Sequence, residues 1–95
     1  MKSIIQSKRE CYLCHSQRNL QVHHCLTNAN RKQCDKQGLT VYLCMDCHTG
    51  SNGVHNINTQ GLKYLQKVAQ KKFEETHTRE EFMQLFHKNY LWEEE

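Results

Sequence analysis

The sequence predicts a small α+β domain, a zinc-stapled β-hairpin plus helix followed by a C-terminal helical extension. Three observations carry that prediction. Two CxxC pairs, Cys11-Tyr-Leu-Cys14 and Cys44-Met-Asp-Cys47, bracket much of the first half of the chain. Two short stretches of strand character, 19–24 and 39–44, lie on the inner side of these pairs. From about residue 57 apolar residues recur at three- and four-residue steps, the period of a helix.

At 95 residues the chain is expected to form one unit, 1–95, with a metal-stapled core over 11–56 and a helical extension over 57–92. Only 37% of the residues are hydrophobic, so an apolar core alone is thin, and domains of this size often add a metal or disulfides. The start, MKSIIQSKRECY, has no h-region, and no apolar run approaches a membrane span. The expectation is a cytoplasmic, intracellular protein with no membrane partner, where thiols stay reduced and paired CxxC motifs favour metal.

The net charge of +3 conceals an asymmetry. Lys8, Arg9, Arg18, Arg31, Lys32 and Lys36 crowd the first part of the chain, whereas FEE and the terminal LWEEE are acidic. A polyanion would approach the N-terminal half. An ordinary solvated surface explains the same charges.

Taken in order, NLQVHH at 19–24 reads as a first strand and LTVYLC as a second, with Leu39, Val41 and Leu43 alternating against Thr40 and Tyr42. The segment between them reads as a long loop that ends in a turn at Gly38. Leu62, Leu65, Val68, Ala69 and Phe73 form the stripe of a first long helix. Thr78 with Glu81 reads as a capping box opening a second helix, whose buried face is Phe82, Leu85, Phe86 and Tyr90. With Trp92, these aromatics exceed what a two-helix appendage needs, which suggests either a protein partner or packing onto the hairpin.

The cysteine spacing points to one tetrahedral site. Two thiolates of a CxxC turn reach a single Zn²⁺, and a second pair closes the shell. A redox CxxC needs a thioredoxin-like βαβ setting, and none is present. Cys11, Cys14, Cys44 and Cys47 are therefore the expected structural zinc ligands. Cys25 and Cys34 have no CxxC partner and read as small apolar residues.

Seven histidines remain, of which His23 and His24 end the first strand, His48 follows Cys47 directly and His55 lies in GVHN. Neighbouring strand residues point to opposite faces, so His23 and His24 are expected to do different jobs rather than chelate one ion together. His15, His77 and His87 read as surface residues.

With LQVHH, an Asn-rich loop and LCMDCH in this order, the chain resembles the HNH, or ββα-metal, endonucleases of the type stapled by a four-cysteine zinc. Within that family the pattern VHH…NRK…LCMDCH…GVH is similar to small phage-borne HNH proteins, including those related to RecA-dependent recombination-enhancement nucleases. The resemblance covers residues 11–55 and extends weakly into the helical tail. It implies that His23 and His48 bind a catalytic divalent ion, that His24 is the general base, and that Asn28 or Asn30, with Asn19 a competitor, is the central Asn. Arg31 and Lys32 become phosphate contacts, and His55 a third ligand or a phosphate contact. Gly50 and Gly53 mark its segment as loop, which lets His55 fold back.

Those roles suit the chemistry. Phosphodiester hydrolysis needs a water deprotonated near neutral pH, where imidazole titrates, and a cation to offset transition-state charge. Arg can clamp phosphate oxygens. In this chain His23 stands where the family often has Asp. The catalytic metal (Mg²⁺, Mn²⁺, Zn²⁺ or Ni²⁺) is then bound through imidazole, which disfavours Mg²⁺.

The expectation is a phage- or prophage-derived, metal-dependent DNA endonuclease acting in recombination or DNA processing, with DNA as partner and a recombinase filament or other phage protein as a second. The rival is a non-catalytic treble-clef zinc module binding nucleic acid or protein. That rival accounts for the cysteines but leaves the register of His23, His24 and His48 unexplained. A redox or metal sensor using Cys25 and Cys34 is a further alternative.

Overall fold

A computed structural model describes residues 3–26 and 31–91. The elements run β1 (Leu20–His24), α1 (Arg31–Gln37), β2 (Thr40–Cys44), α2 (Met45–His48), α3 (Thr59–Phe73) and α4 (Arg79–Phe86), a small α+β arrangement. Asn28, Asn30 and Trp92 lie outside the described residues. Among the described residues no helix is long and apolar enough to cross a membrane.

β1 and β2 pair antiparallel, from Leu20 opposite Cys44 to His24 opposite Thr40. A two-stranded ribbon is marginal alone and needs cover on one face. Cover comes from the helical half: Leu39, Val41 and Leu43 share one buried cluster with Leu65, Ala69, Phe73, Phe82 and Phe86. Thr40 breaks the expected alternation, being buried as well.

The segment joining the strands is not all loop. Arg31–Gln37 forms α1, and Arg31 is its first residue. The sequence hides this helix because RKQCDKQ has no apolar stripe, and Cys34 is its one buried residue. The stop signal of α1 is a glycine. Gly38 has φ 73°, with Leu39 N–H donating to the Cys34 carbonyl and Gly38 N–H to that of Asp35, the two bonds of a Schellman end. A left-handed residue is needed there, and glycine adopts it without strain.

α3 buries Leu65, Ala69 and Phe73 as its periodicity predicts, and also Gln70, which has no place in an apolar stripe. Gln70 is satisfied on both sides of its amide. Its Nε2 donates to Glu74 Oε2 and Asn89 Oδ1, and its Oε1 accepts the Tyr90 N–H at 2.7 Å. It thereby ties the chain after α4 back onto α3. α4 opens with the expected capping box between Thr78 and Glu81. Phe82 and Phe86 are buried against Phe73, so these two aromatics belong to the core rather than to an exposed face.

Candidate functional site

Two clusters of metal-ligating side chains stand out among the described residues, Cys11–Cys14–Cys44–Cys47 and His23–His48–His55. In each cluster one donor atom per residue lies within 4.8 Å of the others.

The first cysteine knuckle is a tight turn. Cys11 N–H donates to Ser16 O, His15 N–H to Cys11 O, and Tyr12 N–H crosses to Tyr42 O in β2. That last bond holds the knuckle against the strand that ends in Cys44. Cys47 follows from the short helix α2. Cys14 Sγ and Cys44 Sγ are 3.6 Å apart, far beyond a disulfide bond and close to the edge of a ZnS₄ tetrahedron, about 3.8 Å for Zn–S bonds of about 2.3 Å.

Electrostatics favour a cation at that point. Burial raises the Cys11 thiol, but hydrogen bonds from the backbone of Cys44, Cys14 and Leu13 outweigh it and bring the pKa down to about 6. Cys47 moves the other way, raised by burial and by the neighbouring thiols. Four crowded sulfurs cannot all ionise unaided, and a divalent ion removes the conflict. The cluster is compatible with a zinc site. Cys25 and Cys34 are both fully buried with thiols raised by burial, and the Cys34 thiol donates to Leu26 O. They are core residues.

The histidine cluster draws on three separate elements. His23 comes from β1, His48 is the last residue of α2, and His55 sits in the turn beyond it. The His48 and His55 Nε2 atoms are 3.0 Å apart, and the three ring centroids are 4.7–5.3 Å from one another. Gly53 makes this possible. Its position above the end of α2 would bring a Cβ to 2.6 Å from the His48 carbonyl oxygen. The bare backbone lets Val54 N–H reach Cys47 O and His55 N–H reach His48 O, folding His55 back over His48.

His23 is 1% exposed, and neither ring nitrogen has a hydrogen-bond partner among the described residues. A buried imidazole without partners costs free energy that a metal ion in the cluster would recover. Its pKa is pushed down to about 3 by burial and then by the charges His48, His55 and His24 would carry. His48 is lowered for the same reasons, burial first. Neutral imidazoles with converging lone pairs are what a transition metal binds. The donor set fits such an ion.

His24 is not one of this trio. Its Nε2 lies 2.8 Å from Asp35 Oδ1 on α1. His23 and His24 nevertheless line one pocket of about 310 Å³, with Arg31, Thr49 and His55 around it. Strict opposition of faces is an expectation for residues inside a ladder. His23 and His24 are both paired in the ladder, opposite Val41 and Thr40, yet both contribute to the lining of this one pocket at the end of β1. The alternation survives in the donors alone: His23 joins the trio and His24 is held by α1.

Arg31 thus stands at the pocket, while Asn28 and Asn30 fall in the segment outside the described residues. His15 is exposed and bonded to Glu10, away from both clusters. Asp35 and Gln21 are the residues that sequence reasoning missed. Gln21 Oε1 accepts from His48 Nδ1 at 2.7 Å. Its signal was positional: it stands two residues before His23 and so on the same side of the strand. Asp35 has no signal in the sequence, because α1 has no apolar stripe to mark it as a helix.

No protein-family model, no curated protein and no solved structure matches this chain.

Proposed function

We propose that this protein is a metal-dependent endonuclease of the HNH type that hydrolyses DNA phosphodiester bonds. One observation carries the reading: three histidine nitrogens from β1, α2 and the following turn converge within 4.8 Å, in a pocket also lined by His24 and Arg31. The succession of β1, β2 and α2, with α1 inserted between the strands and with Cys47 and His48 adjacent on α2, supports a ββα-metal arrangement of treble-clef type. α2 is only four residues long, shorter than that arrangement leads one to expect.

His23, His48 and His55 would hold the catalytic ion, which supplies Lewis-acid stabilisation of charge on the phosphate. An all-imidazole set suits Zn²⁺, Ni²⁺, Co²⁺ or Mn²⁺ better than Mg²⁺. His24 donates its Nε2–H to Asp35, which leaves Nδ1 to take a proton from the attacking water. Arg31, which lines the pocket, would contact the phosphate. Recognition through the backbone makes for low sequence specificity, which a recombinase filament or another phage protein would supply.

Plasmid nicking tests the proposal, with Mn²⁺, Mg²⁺, Ni²⁺ and EDTA arms and with His24→Ala beside wild type. Metal-dependent nicking that His24→Ala loses, while remaining folded and zinc-loaded, is the expected result. Equal cutting by His24→Ala overturns the assignment of the base. No cutting by wild type with any metal, even on recombinase filaments, leaves the non-catalytic zinc module as the reading.

A further inference from the structure

We propose that Gln21 is a positioning residue for the three-histidine metal site, holding His48 in the tautomer that turns its Nε2 lone pair toward His23 and His55. The carbonyl oxygen of an amide can only accept, so the 2.7 Å contact between Gln21 Oε1 and His48 Nδ1 requires the proton on Nδ1. Nε2 is then the unprotonated nitrogen, and it is the one that faces the cluster, 3.0 Å from His55 Nε2. Ligating imidazoles generally donate their second N–H to an acceptor that fixes ring orientation and tautomer. Among the described residues His48 is the one member of the trio with a side-chain acceptor on the nitrogen directed away from the cluster.

The location of Gln21 suits the task. It is paired with Leu43 in the ladder, one position from Leu20 opposite Cys44, so its backbone is held by the strand that leads into α2. Its side chain, itself exposed although on the same side of β1 as buried His23, bridges the sheet to the helix that carries His48. Because it is neutral, Gln21 orients the ligand without cancelling any of the cation's charge, which a carboxylate there would do. No packing need explains a glutamine at this point, because the residue is outside the core.

The inference rests on the metal reading of the trio but not on catalysis, so its test is binding. Protein carrying one equivalent of zinc is titrated with Ni²⁺ by calorimetry at neutral pH, with native mass spectrometry counting the metals. Wild type is expected to take up a second equivalent. Gln21→Leu is expected to lose about 10–100-fold in Ni²⁺ affinity while keeping its zinc, and Gln21→Glu, which restores an acceptor, to recover it. Before Ni²⁺ is added, the long-range ¹H–¹⁵N pattern of His48 should show the Nδ1–H form in wild type and a shift toward Nε2–H in Gln21→Leu. Gln21→Ala, which adds no apolar surface, serves should the Leu variant aggregate. A wild type that binds no second equivalent overturns the metal reading of the trio itself. A wild type that binds it, with the Leu and Ala variants equal to it in affinity and tautomer, overturns the role of Gln21 alone.

Discussion

His48 and His55 are seven residues apart in the chain, yet their Nε2 atoms lie 3.0 Å from each other, because the turn between them crosses the end of α2 at Gly53. An added methyl there cannot be accommodated by a flexible side chain, since the atoms it would meet are the carbonyl oxygen and carbon of His48. Gly53→Ala is therefore expected to push the turn outward and separate the two rings. Overpacking of this kind costs about 1–3 kcal/mol. Chemical denaturation should show that loss, and a metal titration should show weakened uptake at the histidines with zinc retained at the cysteines.

His23 carries a desolvation cost that a metal ion at the cluster would offset. With both ring nitrogens buried and unpartnered among the described residues, replacement by a leucine of similar volume should leave the fold without the second metal as stable as wild type or more so. The same variant should lose stabilisation by added metal, which for wild type at a hundredfold excess over Kd amounts to about 2.7 kcal/mol. Thermal unfolding of zinc-loaded His23→Leu and wild type, with and without Ni²⁺, checks both halves. A His23→Leu protein that unfolds more readily without Ni²⁺ makes His23 a structural residue.

The cysteines divide into two groups that mutation should separate. Cys11→Ala or Cys44→Ala removes one of the four clustered thiols that could hold zinc, and the metal contribution in small zinc modules, about 10–16 kcal/mol, matches or exceeds the whole stability of a typical domain. These variants should fail to fold or to retain zinc. Cys25→Ala and Cys34→Ala, which touch only the buried cluster, should keep a full equivalent of zinc and lose a modest amount of stability. Zinc stoichiometry by mass spectrometry distinguishes the outcomes, and loss of zinc from Cys25→Ala would contradict the assignment.

The start of α4 offers a pH test at residues outside both clusters, read as the difference between wild type and variant. Hydrogen bonds from Thr78, its backbone N–H first, hold the Glu81 carboxyl below its ordinary value. A depressed carboxylate stabilises the fold above its unfolded pKa and loses that contribution as pH falls through the lower folded value. The unfolding free energy, measured downward from about pH 4.5, should therefore fall more steeply for wild type than for Glu81→Gln. Thr78→Ala, which removes the other half of the box, should cost about 1 kcal/mol.

Much of this architecture was legible in local spacing. The CxxC pairs, the alternation of Leu39, Val41 and Leu43, the stripe through Leu65, Ala69 and Phe73 and the box at Thr78 and Glu81 are all written within one strand or a few helical turns. α1 was not legible, because a seven-residue helix burying one cysteine has no periodicity to read. Gln70 escaped for a related reason, since its burial depends on Asn89 and Tyr90 arriving from beyond α4.

By itself the sequence determined which donors exist and which short elements carry them, because turn chemistry, strand alternation and helical period act over a few residues. Only the tertiary structure decided which of them meet. His55 joins His48 because the backbone at Gly53 passes where a side chain could not, and Asp35 reaches His24 because α1 packs beside β1. Gln21 meets His48 because pairing of β1 with β2 carries the first strand alongside the helix that follows the second. Convergence across a fold depends on backbone closure between distant segments, and closure is a property of the packed chain rather than of any stretch of its text.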